Sequence, residues 1–199
     1  MAKLLARPTA AEDDLLAQYR TVCTHFDPQR VELIHGRIVV SPMPTGLHNN
    51  IIALLLFQLT GFLMERDWRP WTNIKLFMGT QTDRFIPDLV VVSKRPRMWG
   101  QDEVYADDTH LVVEVVSPSS VNDDYHDKPA AYAAAGVPLF LRIDPIKSTA
   151  DLFALPAEGA FTHHTEVTFG AGLALPAPWN LTLDTAVFND AEPTEDQPG

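Results

Sequence analysis

Glu114 stands inside Leu111-Val112-Val113-Glu114-Val115-Val116, a run that is otherwise wholly apolar. Such a run reads as a central β-strand buried on both faces. An ionised carboxylate there costs several kcal/mol unless a cation or strong hydrogen-bond donors compensate it. Two compensations fit the residue: a bound cation, or a structural ion pair with an arginine such as Arg84 or Arg142.

Asp88 follows Pro87 and opens Leu89-Val90-Val91-Val92, another strongly apolar strand candidate. Alone, a carboxylate at a strand entrance marks a solvated turn. On a strand beside Glu114 it becomes a second hard oxygen ligand. Two carboxylates with a backbone carbonyl and waters suit Mg²⁺ or Mn²⁺, ions that need few protein ligands. Such an ion lowers the pKa of a bound water and stabilises charge growing on a phosphate. Lys128, 14 residues beyond Glu114, precedes a helix candidate. Its ammonium could orient the water and neutralise a phosphate oxygen. The same spacing also gives an exposed i,i+4 pair with Asp124, worth only about 0.3–0.5 kcal/mol.

The elements that must position these groups follow from pattern and punctuation. Ala10 to Arg20 reads as a helix, with Thr9 as N-cap and Glu12 at the capping-box position. Val31–Ile34 and Arg37–Ser41 read as strands around a His35-Gly36 turn, and Thr45 or Asn49 caps a long apolar helix ending near Glu65. Strands are expected over Thr72–Phe77, Asp88–Ser93, His110–Ser117 and Leu139–Asp144, with Asp151–Ala154 and Glu166–Phe169 completing the sheet or forming a hairpin. Pro129–Ala135 reads as a helix stopped by Gly136. The architecture implied is α/β (α+β): one mixed β-sheet flanked by helices, in a single domain over residues 1–188.

Pro87-Asp88, Glu114-Val115-Val116-Ser117-Pro118, Asp124 to Lys128, Tyr132 and Ala135-Gly136-Val137-Pro138 occur in that order. With Glu32-Leu33-Ile34-His35-Gly36-Arg37-Ile38-Val39 and His48, this string resembles the Uma-two family of restriction-endonuclease-like proteins, in the PD-(D/E)XK nuclease superfamily. The resemblance runs from about residue 10 to 170. It implies a metal-dependent endonuclease hydrolysing DNA phosphodiesters, with Asp88, Glu114 and the Val115 carbonyl on Mg²⁺ or Mn²⁺. The lysine that the superfamily carries two residues after the glutamate is Val116 here. In similar proteins a lysine on the following helix takes that role, which falls to Lys128. The resemblance also implies a homodimer, since cutting two strands suits two sites.

Glu32 would then be a further carboxylate near the metal, or a structural hydrogen-bond acceptor. His48 is a phosphate contact or acid/base, or an ordinary helix-start histidine. Ser117 reads as a turn residue. Lys94, Arg95 and Arg97, beside Met98-Trp99, form the densest basic stretch, either gripping phosphates or lying in a solvated loop. His163-His164 reads as an exposed hairpin position, away from any carboxylate of matching spacing.

The chain has 26 acids against 15 bases, a net charge of −11. That excludes coating nucleic acid by simple electrostatics, so contact needs a local basic patch, a bound metal or a dimer groove. Residues 189–199 carry four of those acids and read as a disordered tail. The single cysteine, Cys23, excludes an internal disulfide or a Cys-based zinc cluster within the monomer and fits the reducing cytoplasm. Ile51 to Met64, interrupted by Gln58, Thr60 and Gly61, reads as a buried core helix rather than a membrane span. The acidity favours an alternative, a non-catalytic binding or assembly module on the nuclease fold. A weaker third reading, sugar hydrolysis, requires carboxyl groups roughly 5–10 Å apart.

Overall fold

The computed structural model describes residues 9–27 and 29–191. Helix α1 (Ala10–Phe26) opens on Thr9, whose hydroxyl accepts from Glu12 N while the Glu12 carboxylate accepts from Thr9 N. It runs past the expected Arg20 because Val22 and Cys23 continue its apolar face, begun by Leu16 and Tyr19. Strands β1 (Arg30–Ile34) and β2 (Arg37–Ser41) form the expected hairpin, with His35 and Gly36 at φ 47° and 75°. Two successive left-handed residues match the twist of the flanking strands.

Thr45 caps α2 (Gly46–Arg66), and its hydroxyl accepts from His48 N. Then come β3 (Trp68–Trp71), β4 (Lys75–Phe77), β5 (Arg84–Phe85), β6 (Leu89–Ser93), β7 (Met98–Trp99) and β8 (Glu103–Tyr105). Strand β9 (Thr109–Val115) leads through α3 (Lys128–Ala134) to β10 (Leu139–Asp144), followed by β11 (Thr149–Ala157), β12 (Ala160–Thr168), β13 (Gly172–Leu175) and β14 (Leu181–Asp184).

The single mixed sheet expected from the sequence is two six-stranded sheets, ordered β2-β1-β5-β4-β8-β7 and β12-β11-β10-β9-β6-β3, beside a β13–β14 hairpin. The first is assembled from strands of two to five residues, too short to show a period. The expected strand over Thr72–Phe77 is also redistributed, with β3 ending at Trp71 and only β4 lying within that span. Pro70 lies within β3, which is an edge strand, where a missing N–H is tolerated.

One face of the second sheet packs Leu89, Val91, Leu111, Val113, Leu139 and Leu141 against Ile51, Leu55, Leu59 and Leu63 of α2. The other packs Val90, Val92, Val112 and Phe140 against Tyr132 of α3 and against Ile34, Leu76, Phe85 and Val104 of the first sheet. Helix α2 is buried on one face only. Phe57 and Met64 are exposed, which corrects the expectation of a core helix. By length and composition alone, α2 could cross a membrane. The expected disorder does not start at residue 189, since Ala191 is fully buried and its carbonyl accepts from Asn50 Nδ2 at 2.8 Å. Residues 1–8 and 192–199, the latter most of the predicted tail, lie outside the described residues.

Strands β9 and β10 are parallel, so the segment between them must cross one face of the sheet. That crossover carries α3 and delivers Lys128 over the face from which Glu114 projects.

Candidate active site

Strand β6 pairs antiparallel with β9, with Leu89 opposite Val113. One step outward, Asp88 faces Glu114, and opposed residues share a face of the sheet. Both carboxylates therefore project toward α3 and the first sheet, on the side of Val90 and Val112. Asp88 N donates to Val113 O at 3.1 Å, and Val115 N donates to Asp88 Oδ2 at 2.7 Å. Backbone groups two residues apart point the same way, so the Val115 carbonyl is turned toward the Asp88 edge as well.

Lys128 reaches this site. Its Nζ lies 2.9 Å from Glu114 Oε1 and 2.9 Å from Asp124 Oδ1. Tyr132, one turn along α3, donates its hydroxyl to the same Glu114 oxygen. Asp124 Oδ2 accepts from Ser120 Oγ, and Asp124 N donates to Ser120 O at 2.9 Å. Residues Asp123–Asp127 form a π-helical turn just before α3, a local widening found often at functional sites. The i,i+4 pair with Asp124 therefore does form, but it is buried, with side-chain exposures of 5% and 1%. The arginines considered for Glu114 are committed elsewhere. Arg84 pairs with Glu103 at 2.5 Å and Arg142 with Asp151 at 3.0 Å.

Asp88 has partners that the sequence reading missed. Both terminal nitrogens of Arg30 donate to Asp88 Oδ1, and Arg30 Nη2 also donates to Ile86 O at 2.9 Å. His48, in the first turn of α2, brings Nε2 to 3.0 Å from the same oxygen. The available signal for Arg30 was indirect: a buried Asp88 requires a counter-charge, but nothing local names a partner 58 residues away. Glu32 is buried and accepts from Ile86 N at 2.8 Å, so it makes a structural bond while lining the same cleft.

The cleft has a volume of about 260 Å³ and is lined by Arg30, Glu32, His48, Asp88, Glu114 and Lys128, among others. Ser117 also lines it, and its hydroxyl bonds to those of Ser119 and Ser120 in the turn after β9. Four buried acids, Glu32, Asp88, Glu114 and Asp124, face the cations Arg30 and Lys128, with His48 beside them. Burial pushes the Glu114 carboxyl up to about 8; Lys128 opposes this, while Asp88, Asp124 and Glu32 add to it. Burial also pushes Asp88 up, but the His48 imidazole and the Arg30 guanidinium outweigh it and hold that carboxyl below the usual range. Lys128 is held well above the ordinary lysine value. Burial works against its charge, but Glu114, Glu32 and Asp124 prevail.

Lys94, Arg95 and Arg97 are not part of this cluster. Strand β6 runs away from Asp88, which puts Lys94 roughly 20 Å off at the usual rise of a strand. There Lys94 pairs with Asp67 at 3.0 Å, and Arg97 pairs with Asp107. Sequence order along the strand was mistaken for nearness to its start. His164 does occupy an exposed hairpin position, but it is not away from a carboxylate: its Nε2 lies 2.7 Å from Asp151 Oδ1, on the acid that holds Arg142. Antiparallel pairing of β11 with β12 brings them together.

Among the described residues, no group of three or more His, Cys, Asp and Glu side chains converges as a ready metal site. The donor chemistry nevertheless suits a hard divalent ion: two opposed carboxylates, the Val115 carbonyl on the same edge, and an excess of buried acid. Because Arg30 engages Asp88 Oδ1, an ion binding there would compete with its guanidinium.

A mixed sheet with two opposed carboxylates on adjacent interior strands, and a crossover helix bringing a lysine to one of them, defines a restriction-endonuclease-like α/β fold. The chain belongs to the Uma2 family, described as "Putative restriction endonuclease", whose profile matches residues 16–186. A crystal structure of a "putative nuclease belonging to DUF820" from Anabaena variabilis shares the fold. Its TM-score is 0.64 at 18% sequence identity, over 82% of this chain and 91% of that one. No curated protein matches the chain.

Proposed function

We propose that the protein is a metal-dependent endonuclease that hydrolyses DNA phosphodiester bonds at the Asp88–Glu114–Lys128 cleft. The observation that carries this reading is the register of β6 on β9, which sets Asp88 opposite Glu114, together with Lys128 Nζ 2.9 Å from Glu114. Membership of a family described as restriction endonucleases supports it.

Asp88, Glu114 and the Val115 carbonyl are the groups that would hold Mg²⁺ or Mn²⁺. When bound, the ion supplies positive charge to a phosphate oxygen and lowers the pKa of a water at the site. Lys128 orients the attacking water and neutralises charge on the phosphate from its fixed place between Glu114 and Asp124. Tyr132 fixes the Glu114 rotamer through its hydroxyl. His48, beside Asp88, is an acid/base or phosphate contact. Two copies acting together cut two strands, in the cytoplasm, where Cys23 stays reduced.

The test is cleavage of plasmid DNA with Mg²⁺ or Mn²⁺ by the wild-type protein, Asp88→Ala and Glu114→Gln. Loss of cleavage in both variants is expected, and cleavage persisting in Asp88→Ala defeats the reading. Sedimentation reads the number of copies.

One observation favours a second reading, a non-catalytic module that binds nucleic acid or a protein. Arg30 and Lys128 already pair with Asp88 and Glu114, so each of the two proposed ligands has a cationic partner without a metal. Folded protein that binds DNA but shows no metal-dependent cleavage favours this alternative.

A further inference from the structure

Arg30 differs from the other buried arginines in how its donors are used. Arg84 engages Glu103 through Nε and donates from Nη1 to the Thr80 and Asp83 carbonyls. Arg142 donates from Nε to Asp151 and from Nη1 to Asp124 O, and its Nη2 pairs with Asp151. These donor sets belong to fixed structural arginines. Arg30 likewise donates from Nη2 to a backbone carbonyl, Ile86 O, but it crowds both terminal nitrogens onto a single carboxylate oxygen, Asp88 Oδ1, while Val115 N donates to Oδ2. It forms no two-oxygen fork. Its Nε is buried without a partner, and its side chain is 16% exposed against 5% for both Arg84 and Arg142. Native proteins leave few buried donors unsatisfied, so the orphan Nε beside the cleft marks an incompletely bonded guanidinium.

The cleft is also short of charge to receive a phosphate. Among the described residues lining it, the basic side chains are Arg30, His48 and Lys128. Lys128 is held between two carboxylates, and the Lys94–Arg97 segment lies at the far end of β6.

We propose that Arg30 is an exchangeable partner of Asp88: it occupies the carboxylate when no divalent cation is bound and, once displaced by one, binds the substrate phosphate. A divalent ion and a guanidinium repel each other, so an ion on Asp88 Oδ1 competes with the Arg30 contact there. The exchange leaves Asp88 compensated in both states, so it avoids the penalty of an unpaired buried charge. The released guanidinium is planar and multiply donating, which suits phosphate oxygens. The proposal rests on the metal-dependent reading above and couples the two ligands, since metal binding frees the group that takes the phosphate.

The test measures Mn²⁺ affinity by calorimetry and DNA affinity by fluorescence anisotropy. The DNA is a labelled duplex, with Ca²⁺ in place of Mn²⁺ and strand integrity checked on a denaturing gel. Removing a competing charge-assisted bond in Arg30→Gln should tighten Mn²⁺ by about 10- to 100-fold. The same variant should bind DNA in Ca²⁺ about 10-fold or more weakly, and opposite signs on the two ligands are not produced by a merely structural role. Arg30→Lys, which keeps the charge but loses the planar group, should shift both affinities in the same directions by smaller factors. It serves as the probe should Arg30→Gln not fold. Mn²⁺ binding that Asp88→Ala abolishes but the Arg30 variants leave unchanged overturns the exchange and spares the metal site. Unchanged DNA binding in those variants also overturns the proposal. Absence of Mn²⁺ binding in both wild type and Arg30→Gln overturns this proposal and the metal-dependent reading together.

Discussion

Lys128 Nζ is equidistant, at 2.9 Å, from Glu114 on the central strand and Asp124 on the π-helical turn. The lysine is thus held by two buried carboxylates, and its replacement affects stability as well as chemistry. In Lys128→Met the ionised Asp124 loses its cation, and Glu114, whose carboxyl holds its proton up to about pH 8, loses a hydrogen-bond donor. A loss of about 3–5 kcal/mol in urea unfolding near pH 7 is expected, the usual result of breaking a buried pair from one side. Under the proposed mechanism, DNA cleavage falls about 100- to 1,000-fold in the folded fraction. Wild-type stability in Lys128→Met would mean that the pair is solvated.

Glu114 gives the metal-free protein a characteristic pH dependence. Its carboxyl moves from the ordinary value of 4.5 to about 8 on folding. Between those values the folded state holds a proton that the unfolded state has released, so stability falls as pH rises across that window. In EDTA, thermal unfolding should lie several degrees lower at pH 8 than at pH 5. Glu114→Gln should flatten the difference. A rising or flat wild-type profile over that range counters the assignment.

A bound divalent ion should reverse that trend. It stabilises the ionised carboxylate and, by mass action, the folded state, by about 2.7 kcal/mol at a concentration 100 times its Kd. Differential scanning fluorimetry at pH 8 should show a Tm increase with Mn²⁺ that is absent in Glu114→Gln. An equal increase in that variant would place the ion elsewhere.

Asp151 is fully buried and bonded to both Arg142 and His164. Asp151→Ala strands a buried guanidinium and should cost about 3–5 kcal/mol by denaturant unfolding. His164 is 46% exposed, so His164→Ala should cost less than about 1 kcal/mol. Equal losses would show that the imidazole, not the arginine, depends on this acid.

Lys94, Arg95 and Arg97 test the placement of the cleft. Lys94 and Arg97 are paired with Asp67 and Asp107, remote from Asp88. Replacing all three basic residues with glutamine should change DNA cleavage by less than about twofold at moderate salt, where charges beyond about 8–10 Å are screened. A tenfold loss would bring that segment back into the substrate path.

Much of this protein was legible in its sequence. The apolar runs around Asp88 and Glu114 specify strands by composition, the Thr9 and Thr45 caps begin helices, and His35-Gly36 dictates its turn. A lone acid in an apolar strand declares that something positive must meet it, whatever the fold. Which group does so was decided by the tertiary structure. Strand register set Asp88 opposite Glu114, the parallel crossover delivered Lys128, and a hairpin remote in sequence supplied Arg30. The physical reason is one of range. Periodicity and capping act over a few residues, whereas charge pairing in a core acts across whatever strands the packing brings together. The same limit hid the first sheet, whose shortest strands have no period of their own and exist only because neighbouring strands complete their hydrogen bonds.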